Sequence, residues 1–537
     1  MSEIFDHVIV GGGTAAGILA WRLSEAGRTV CVLEAGPPDT NPYIRIPAGF
    51  MKTLFDPMVT WQLASDPDPD SGNRAILYTQ GKVLGGSSSV NGMVYNRGQA
   101  ADFDGWAQSG NSGWSYADIL PLFRRTERRI GDAVDPAYRG TDGRLTVTTS
   151  PWNSAIVDAF VAAAQRCGHP FNPDYNGARQ EGVGFYQSAI HKGRRQSTAF
   201  AFLHPARASH GVDVRTGALA TQIVLEGRRA TGVAYRRGGE RHVVSARRSV
   251  IVSAGTVHSP KLLQLSGIGP GQWLRDRGVD VAHDLPGVGE NFRDHYSPRI
   301  VARARPGVDS LNARASGLSL VREIARWIRG RPSILTLSPA LVHVFGKSEQ
   351  ALDLPDYSLV FTPASYKAGF IGRLDDCPGM TCGAWQMRPN SAGYVRIASN
   401  DPMDAPNINP RYLSDPYDQR VLVAGLRAAR AIFASAPLAE LIETELFPGF
   451  DCASDSDLLQ FARTNGNSSY HLVGSNKMGP GSDPMAVVDP RLRVHGMTGL
   501  HVVDASIMPS MVSANTYAST MMIAEKGADM ILAEGQA

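Results

Sequence analysis

Apolar and polar positions near the start of the chain follow two rhythms in turn. Phe5 to Val10 reads as a buried strand, Ala16, Leu19, Ala20 and Leu23 recur at the spacing of one helix face, and Thr29 to Leu33 is a second strand-like run. Gly11-Gly12-Gly13-Thr14-Ala15-Ala16 fills the turn before the helix, and Glu34 ends the second strand. The same reading predicts a strand over Ser249 to Ala254, a helix over Pro260 to Leu265 ending at Gly267, and helices over Ala315 to Arg331 and Asp418 to Ala434. It predicts a last strand at Leu500 to Val503 and a closing helix over Thr516 to Leu532. No internal repeat or low-complexity linker interrupts this pattern.

Strand, glycine turn, helix, strand and acid, in that order, are the parts of a dinucleotide-binding unit. Gly11 permits the turn, Gly13 lets the backbone approach a pyrophosphate, and small Ala16 lets helix and strand pack closely. The helix N-terminus then faces the phosphate charge. A carboxylate at Glu34 accepts ribose hydroxyls and repels a 2′-phosphate, which favours FAD or NAD over NADP. The unit by itself does not choose between FAD and NAD.

Composition narrows the class. A chain of 537 residues, 43% hydrophobic and 19% charged, suits two globular domains or one elaborated α/β unit. Lysine and arginine total 53 against 50 acidic residues, and basic clusters stay short (Arg124, Arg125, Arg128, Arg129), so charge gives no case for nucleic acid. The five cysteines are widely spaced without a CxxC pair, which fits a reducing compartment, and the histidines show no metal-ligand spacing, so no metal is expected. The first apolar run leads straight into the glycine turn, leaving no room for a signal peptide, so a cytoplasmic protein is expected. No apolar run reaches the roughly 18 residues of a membrane span.

Two further stretches carry a resemblance. Gly81-Lys82-Val83-Leu84-Gly85-Gly86-Ser87-Ser88-Ser89-Val90-Asn91-Gly92-Met93 and Gly255 to Gly269 resemble signature segments of the glucose-methanol-choline (GMC) flavoprotein oxidoreductases. The likeness continues through Asp294-His295, Gly393 to Leu413 and Val503-Asp504-Ala505-Ser506, and is nearest to bacterial primary-alcohol and choline dehydrogenase-like members. It implies FAD as cofactor and an α/β fold. A discontinuous Rossmann-type FAD-binding domain (1–155, 196–295 and 464–537) would be joined to a substrate-binding domain (156–195 and 296–463) of antiparallel sheet flanked by helices. The FAD contacts it implies are Gly11, Gly13, Thr14, Ala15, Glu34, Ala35, Lys82, Gly85, Ser87, Asn91, Gly92, Met93, Val94, Ala220, Asp504, Ala505 and Thr516. Val90 stands where some members carry a histidine that tethers FAD, so noncovalent FAD is expected.

Asn467 to Gly479 resembles the family segment that holds the catalytic histidine, and His471 is the match. Ser513-Ala514-Asn515-Thr516 resembles the closing segment, whose second catalytic position is here Asn515. The resemblance implies oxidation of a primary alcohol to an aldehyde by hydride transfer to the flavin, with His471 as base, Asn515 as hydrogen-bond partner and Tyr470 against the substrate. His258, His295 and Trp61 are further candidates to approach the site. An imidazole of pKa about 6.5 facing a hydroxyl near 15.7 is mismatched by about nine units, roughly 12 to 13 kcal/mol. The proton therefore leaves with the hydride, or the pocket stabilises an alkoxide.

Choline-type, sugar-like and amino-alcohol substrates stay open, as does a nonredox flavin lyase on the same fold. Choline-oxidising relatives place a carboxylate near the ammonium, and Leu337 to Lys347 has none. Leu472 stands where proline is frequent, and Ser475-Asn476 where Thr-Cys is, which alters the pocket and leaves the base in place. Expected partners are a small-molecule alcohol and oxygen or another electron acceptor, and the resemblance admits a homodimer.

Overall fold

The computed structural model describes residues 3–131, 134–367 and 372–534. A seven-stranded sheet runs in the order Asp213–Arg215, Val30–Leu33, Ile4–Val10, Glu240–Val252, Arg229–Arg237 and Leu219–Glu226, with Leu500–Val502 also pairing to Glu240–Val252. Ile4–Val10 lies parallel to both its neighbours, in register His7 to Val30 on one side and Val10 to Val252 on the other. Val30–Leu33 is wholly buried, and its unbroken apolar run is what a parallel strand covered on both faces requires. The strands from Leu219 to Val252 form an antiparallel extension.

Thr14–Glu25 is the helix that follows the glycine turn, and it packs against the C-terminal helix Thr516–Glu534. Arg22 ties the two together through Glu525 (2.6 Å) and Asp529 (3.0 Å). Gly11 has φ +92°, and a Cβ there would stand 2.5 Å from the Ser253 carbonyl oxygen, so the turn admits only glycine.

The second sheet is antiparallel throughout, in the order Ile442–Phe447, Arg299–Ala304, Gly379–Gln386, Tyr357–Thr362, Val342–Gly346 and Gly182–Phe185. The helix Pro416–Phe433 covers one face through Leu422, Leu426 and Ala429. Two main apolar clusters result. One surrounds the first sheet, and the other lies between the second sheet and the helices Ala155–Arg166 and Pro416–Phe433. Leu63, Ile76, Tyr78 and Trp152 pack into the second cluster and Ala189 and Ile190 into the first, so the chain crosses between them more often than the sequence pattern implies.

Helix positions follow the periodicity closely: Gly317–Ile328, Pro416–Phe433 and Thr516–Glu534 stand within a few residues of the expected limits. The helix expected from Pro260 starts earlier, at Gly255. Asp504 explains the difference. Its carboxylate accepts from Gly255 N at 2.8 Å and Ser259 Oγ at 2.6 Å, and Ser259 Oγ also accepts from Ala254 N at 3.0 Å. These bonds start the helix five residues before the proline, from a partner about 250 positions away in sequence.

A buried ionic knot lies beyond the Asn91 segment. Glu127 is clamped between Arg97 and Arg139, all three essentially without solvent exposure, and Arg139 also reaches Asp174 at 2.5 Å.

Candidate active site

One cavity of about 400 Å³ runs from the glycine turn to the segment Ser468 to Leu472. Gly11, Gly13, Thr14, Ala15, Glu34, Ala35 and Ala220 line one end, and Tyr470, His471, Asn515 and Trp385 line the other. Ser87, Asn91, Gly92, Met93, Val94, Asp504, Ala505 and Thr516 lie along it. The structure thus brings the expected residues to one space, with two exceptions. Lys82 does not line the cavity: its ammonium sits 4.4 Å over the ring of Trp61, which does. Gly85 lies behind the wall at φ +88°, where its N–H donates to the Gly12 carbonyl at 2.7 Å and fastens one loop to the other.

The nucleotide end fits a dinucleotide on its own terms. No side chain caps the Thr14–Glu25 helix, so its first-turn amides are open toward the cavity, the arrangement that receives a pyrophosphate. Glu34 is buried and accepts from Gly12 N and Gly36 N, both at 2.7 Å. Burial pushes its carboxyl up to about 7 despite those donors. Two backbone donors leave lone pairs on both oxygens for ribose hydroxyls.

Midway, Asn91 is oriented from behind. Its Oδ1 accepts from Met93 N at 3.0 Å and from the Arg195 guanidinium at 2.8 Å, so its Nδ2 is the atom left to donate into the cavity. Arg195 is itself buried and carries no acidic partner among the described residues, and burial lowers it to about 9. His258 lines the same stretch against Trp61, ring centroids 4.5 Å apart, and burial holds it near 3.

At the far end, His471 follows the two-residue strand Asn467–Ser468, which pairs with Tyr296–Ser297. Asp294 anchors the turn: Oδ1 accepts from His471 N at 2.8 Å, and Oδ2 accepts from Ser468 Oγ at 2.5 Å and from the Tyr412 hydroxyl. Burial pushes the Asp294 carboxyl up to about 6. His471 Nδ1 lies 2.9 Å from His295 Nδ1, and His295 Nε2 lies 2.8 Å from the Met387 carbonyl oxygen. His471 Nε2 is 2.8 Å from Asn515 Nδ2, while Asn515 Oδ1 is buried without a partner. Burial first, then the neighbouring His295, holds His471 well below 6.5.

Sequence reasoning did not single out Trp385, Arg299, Tyr366, Thr381 or Gly383, all on the walls of this end. They come from adjacent strands of the second sheet or the loop beyond one of them. Strand alternation at Thr381, Gly383 and Trp385 is the one local signal that groups any of them. Among the described residues no cluster of histidines, cysteines and acids could hold a metal ion, all five cysteines are free, and no helix is long and apolar enough to cross a membrane.

Two family models, both described as GMC oxidoreductase, match residues 5–297 and 389–524. An oxygen-dependent choline dehydrogenase of Staphylococcus aureus (strain MSSA476) is 38% identical over 546 aligned residues, 99% of this chain and 94% of that protein. Among solved structures, pyridoxine 4-oxidase from Mesorbium loti superposes with a TM-score of 0.87 at 29% identity, covering 98% of each chain. A variant formate oxidase of Aspergillus oryzae RIB40 superposes with a TM-score of 0.91 at 25% identity, covering 100% of this chain and 99% of the other.

Proposed function

Since this chain belongs to the GMC oxidoreductases, FAD-dependent enzymes that act on CH–OH donors, we propose that it oxidises a primary alcohol to an aldehyde with His471 as the base. The observation that carries this reading is the hydrogen-bond order around His471. The Met387 carbonyl can only accept, so His295 Nε2 carries the proton and His295 Nδ1 the lone pair. His471 Nδ1 must then be the donor between the two rings, which leaves His471 Nε2 as a bare acceptor beside Asn515 on the cavity.

Bound FAD supplies the hydride acceptor. The protein's share is to position the alcohol and manage its proton. A substrate hydroxyl takes the place of the Asn515 amide at His471 Nε2 and gives up its proton there. The freed Asn515 Nδ2 then donates to the substrate oxygen. Holding His471 neutral keeps the acceptor available at neutral pH, though it makes His471 a weaker base. The proton therefore moves as the hydride leaves, not in an earlier separate step. Asn91 Nδ2 and the open amides at Thr14 and Ala15, all on the cavity lining, would hold the cofactor, and Val90 has no nucleophile with which to tether it.

We assign the two structural halves to cofactor and substrate, the first sheet with the C-terminal helix to FAD and the second sheet to the alcohol, with oxygen or another acceptor completing turnover. The wide spacing of the five cysteines, without a CxxC pair, supports a reducing, cytoplasmic setting. The test is anaerobic mixing of the purified yellow protein with a panel of primary alcohols while flavin absorbance is followed. Bleaching by at least one of them is the expected result, and rapid recovery in air would mark oxygen as the acceptor. An unbleached flavin across neutral, anionic and cationic alcohols would remove the proposal.

A further inference from the structure

Arg299 lines the same cavity as the proposed base, and its guanidinium makes no hydrogen bond or ion pair with any described residue. Its strand runs antiparallel to Gly379–Gln386, and it stands directly opposite Gly383. That glycine leaves the space open: a Cβ there would come within 2.9 Å of Ser297 Oγ and 3.6 Å of Arg299 Cγ. Two residues along the same face is Trp385, whose ring centroid is 5.6 Å from that of His471. Diagonal neighbours on a sheet are roughly 7 to 8 Å apart, well within the reach of an arginine side chain. Arg299 therefore stands on the sheet face that also carries Trp385, the ring that meets His471. Tyr366 and Tyr470, also on the wall, are the polar groups that act on it electrostatically, and burial lowers its pKa.

The acidic residues on the cavity are elsewhere and engaged. Glu34 accepts the Gly12 and Gly36 amides at the nucleotide end. Asp504 accepts from Gly255 N, Ser259 Oγ and Ser506 N. The other cation on the lining, Lys261, is spent on the carbonyls of Pro402 and Asp404 at 2.7 and 2.6 Å. Among the described residues, Arg299 is thus the charge on the lining that lacks a counterion. A desolvated cation without a partner is costly. A planar fork of N–H groups is matched by a carboxylate, which can accept two of them at once.

We infer that the substrate is a primary alcohol that also bears a carboxylate, which Arg299 binds while the hydroxymethyl group faces His471. This rests on the reading of the site as an alcohol oxidase or dehydrogenase and names its substrate class. The same feature disfavours a quaternary ammonium alcohol such as choline, because the cavity offers it a cation and no free carboxylate. Trp385, Tyr366 and Tyr470 give the body of the substrate an aromatic and apolar wall.

The experiment is anaerobic flavin reduction by matched pairs, 4-(hydroxymethyl)benzoate with 4-methylbenzyl alcohol and 6-hydroxyhexanoate with 1-hexanol, with choline alongside. Wild-type protein is expected to prefer the acid in at least one pair by about 10- to 100-fold in kcat/KM, the range of a charge-assisted hydrogen bond. In Arg299→Met that ratio should collapse toward one, and Arg299→Lys should recover part of it. A second readout is free of turnover: benzoate should perturb the flavin spectrum of the wild type, and Arg299→Met should lose this response with its FAD content unchanged. Neutral alcohols reacting as well as the acids, choline reacting best, or an acid preference that survives Arg299→Met would each overturn the inference and leave alcohol oxidation standing. No bleaching by any alcohol would remove the underlying reading and this inference with it. Should Arg299→Met fail to fold, the wild-type ratios alone decide.

Discussion

His295 and His471 face each other through like atoms, Nδ1 to Nδ1 at 2.9 Å. Two neutral imidazoles can make that contact only if one donates and the other accepts. The Met387 carbonyl, on the far side of His295, decides which. A backbone oxygen thus sets the protonation of a side chain two residues removed along a hydrogen-bonded line, and does so without placing a charge beside the base.

Replacing His471 with alanine removes the acceptor at the reacting hydroxyl. Flavin reduction should slow by about 10²- to 10⁴-fold, the usual contribution of a positioned base, while FAD stays bound. Stopped-flow reduction by a saturating alcohol measures this, and a rate near that of the wild type would show that the proton leaves by another route.

His295 acts through His471, so its replacement should be milder. In His295→Leu the Nδ1 proton of His471 loses its partner, and reduction should slow by roughly 3- to 10-fold, the worth of one ordinary hydrogen bond. Once acid begins to protonate the pair, a charge on His295 repels one on His471, so its removal should also shift the acid limb of the rate profile to higher pH. A purely structural loss would lower the rate at every pH and leave the limb where it was.

The pH dependence has a definite sign. His471 is active as the neutral ring and its pKa is lowered below 6.5, so the rate should stay level from pH 8 down through about 6.5 and fall only in more acid solution. Stability follows the same direction for the buried histidines. His295 and His7 are held near 4, and His258 and His343 near 3, so the unfolded chain binds protons that the folded chain refuses. Their contribution is complete above about 6.5 and is lost as pH falls toward the folded values. Asp294, raised to about 6, and Glu34, raised to about 7, oppose this by protonating more readily when folded. Denaturation midpoints from pH 7 to 5 should fall, since the histidine set is the larger.

Glu127→Gln tests the buried knot. Removing the one carboxylate between Arg97 and Arg139 leaves two buried guanidinium groups short of countercharge and should cost about 3 to 5 kcal/mol. Chemical denaturation of the holoprotein reads the loss directly. A change under about 1 kcal/mol would mean that solvent or the nearby Asp174 takes over the role.

The nucleotide end was legible in the sequence because its parts are neighbours: glycine turn, helix and Glu34 all fall within about thirty positions. His471 and Asn515 lie far apart from that unit, and only resemblance to a family placed them at one site. Arg299 and Trp385 carried no such mark. An arginine in a strand reads as a solvated side chain, and what turns it toward the cavity is the pairing with Gly383, a register set by the whole sheet. Lys82 is a different case: its place in a signature segment suggests a cofactor contact, and its ammonium stands over Trp61, close enough to act on Glu34 and His258, without itself lining the cavity. The early start of the Gly255 helix was likewise invisible, since the carboxylate that fixes it belongs to Asp504.

The packing of the last helix on the first has a consequence for synthesis. The ribosome makes Thr14–Glu25 near the start of translation and Thr516–Glu534 near its end, which at 5 to 20 residues per second are separated by about 25 to 100 seconds. Throughout that interval the apolar face of the first helix lacks its mate, and the cavity lacks Asn515 and Thr516. A nascent chain of this enzyme therefore needs shelter from its neighbours until release, and the cofactor can settle fully only on the finished polypeptide.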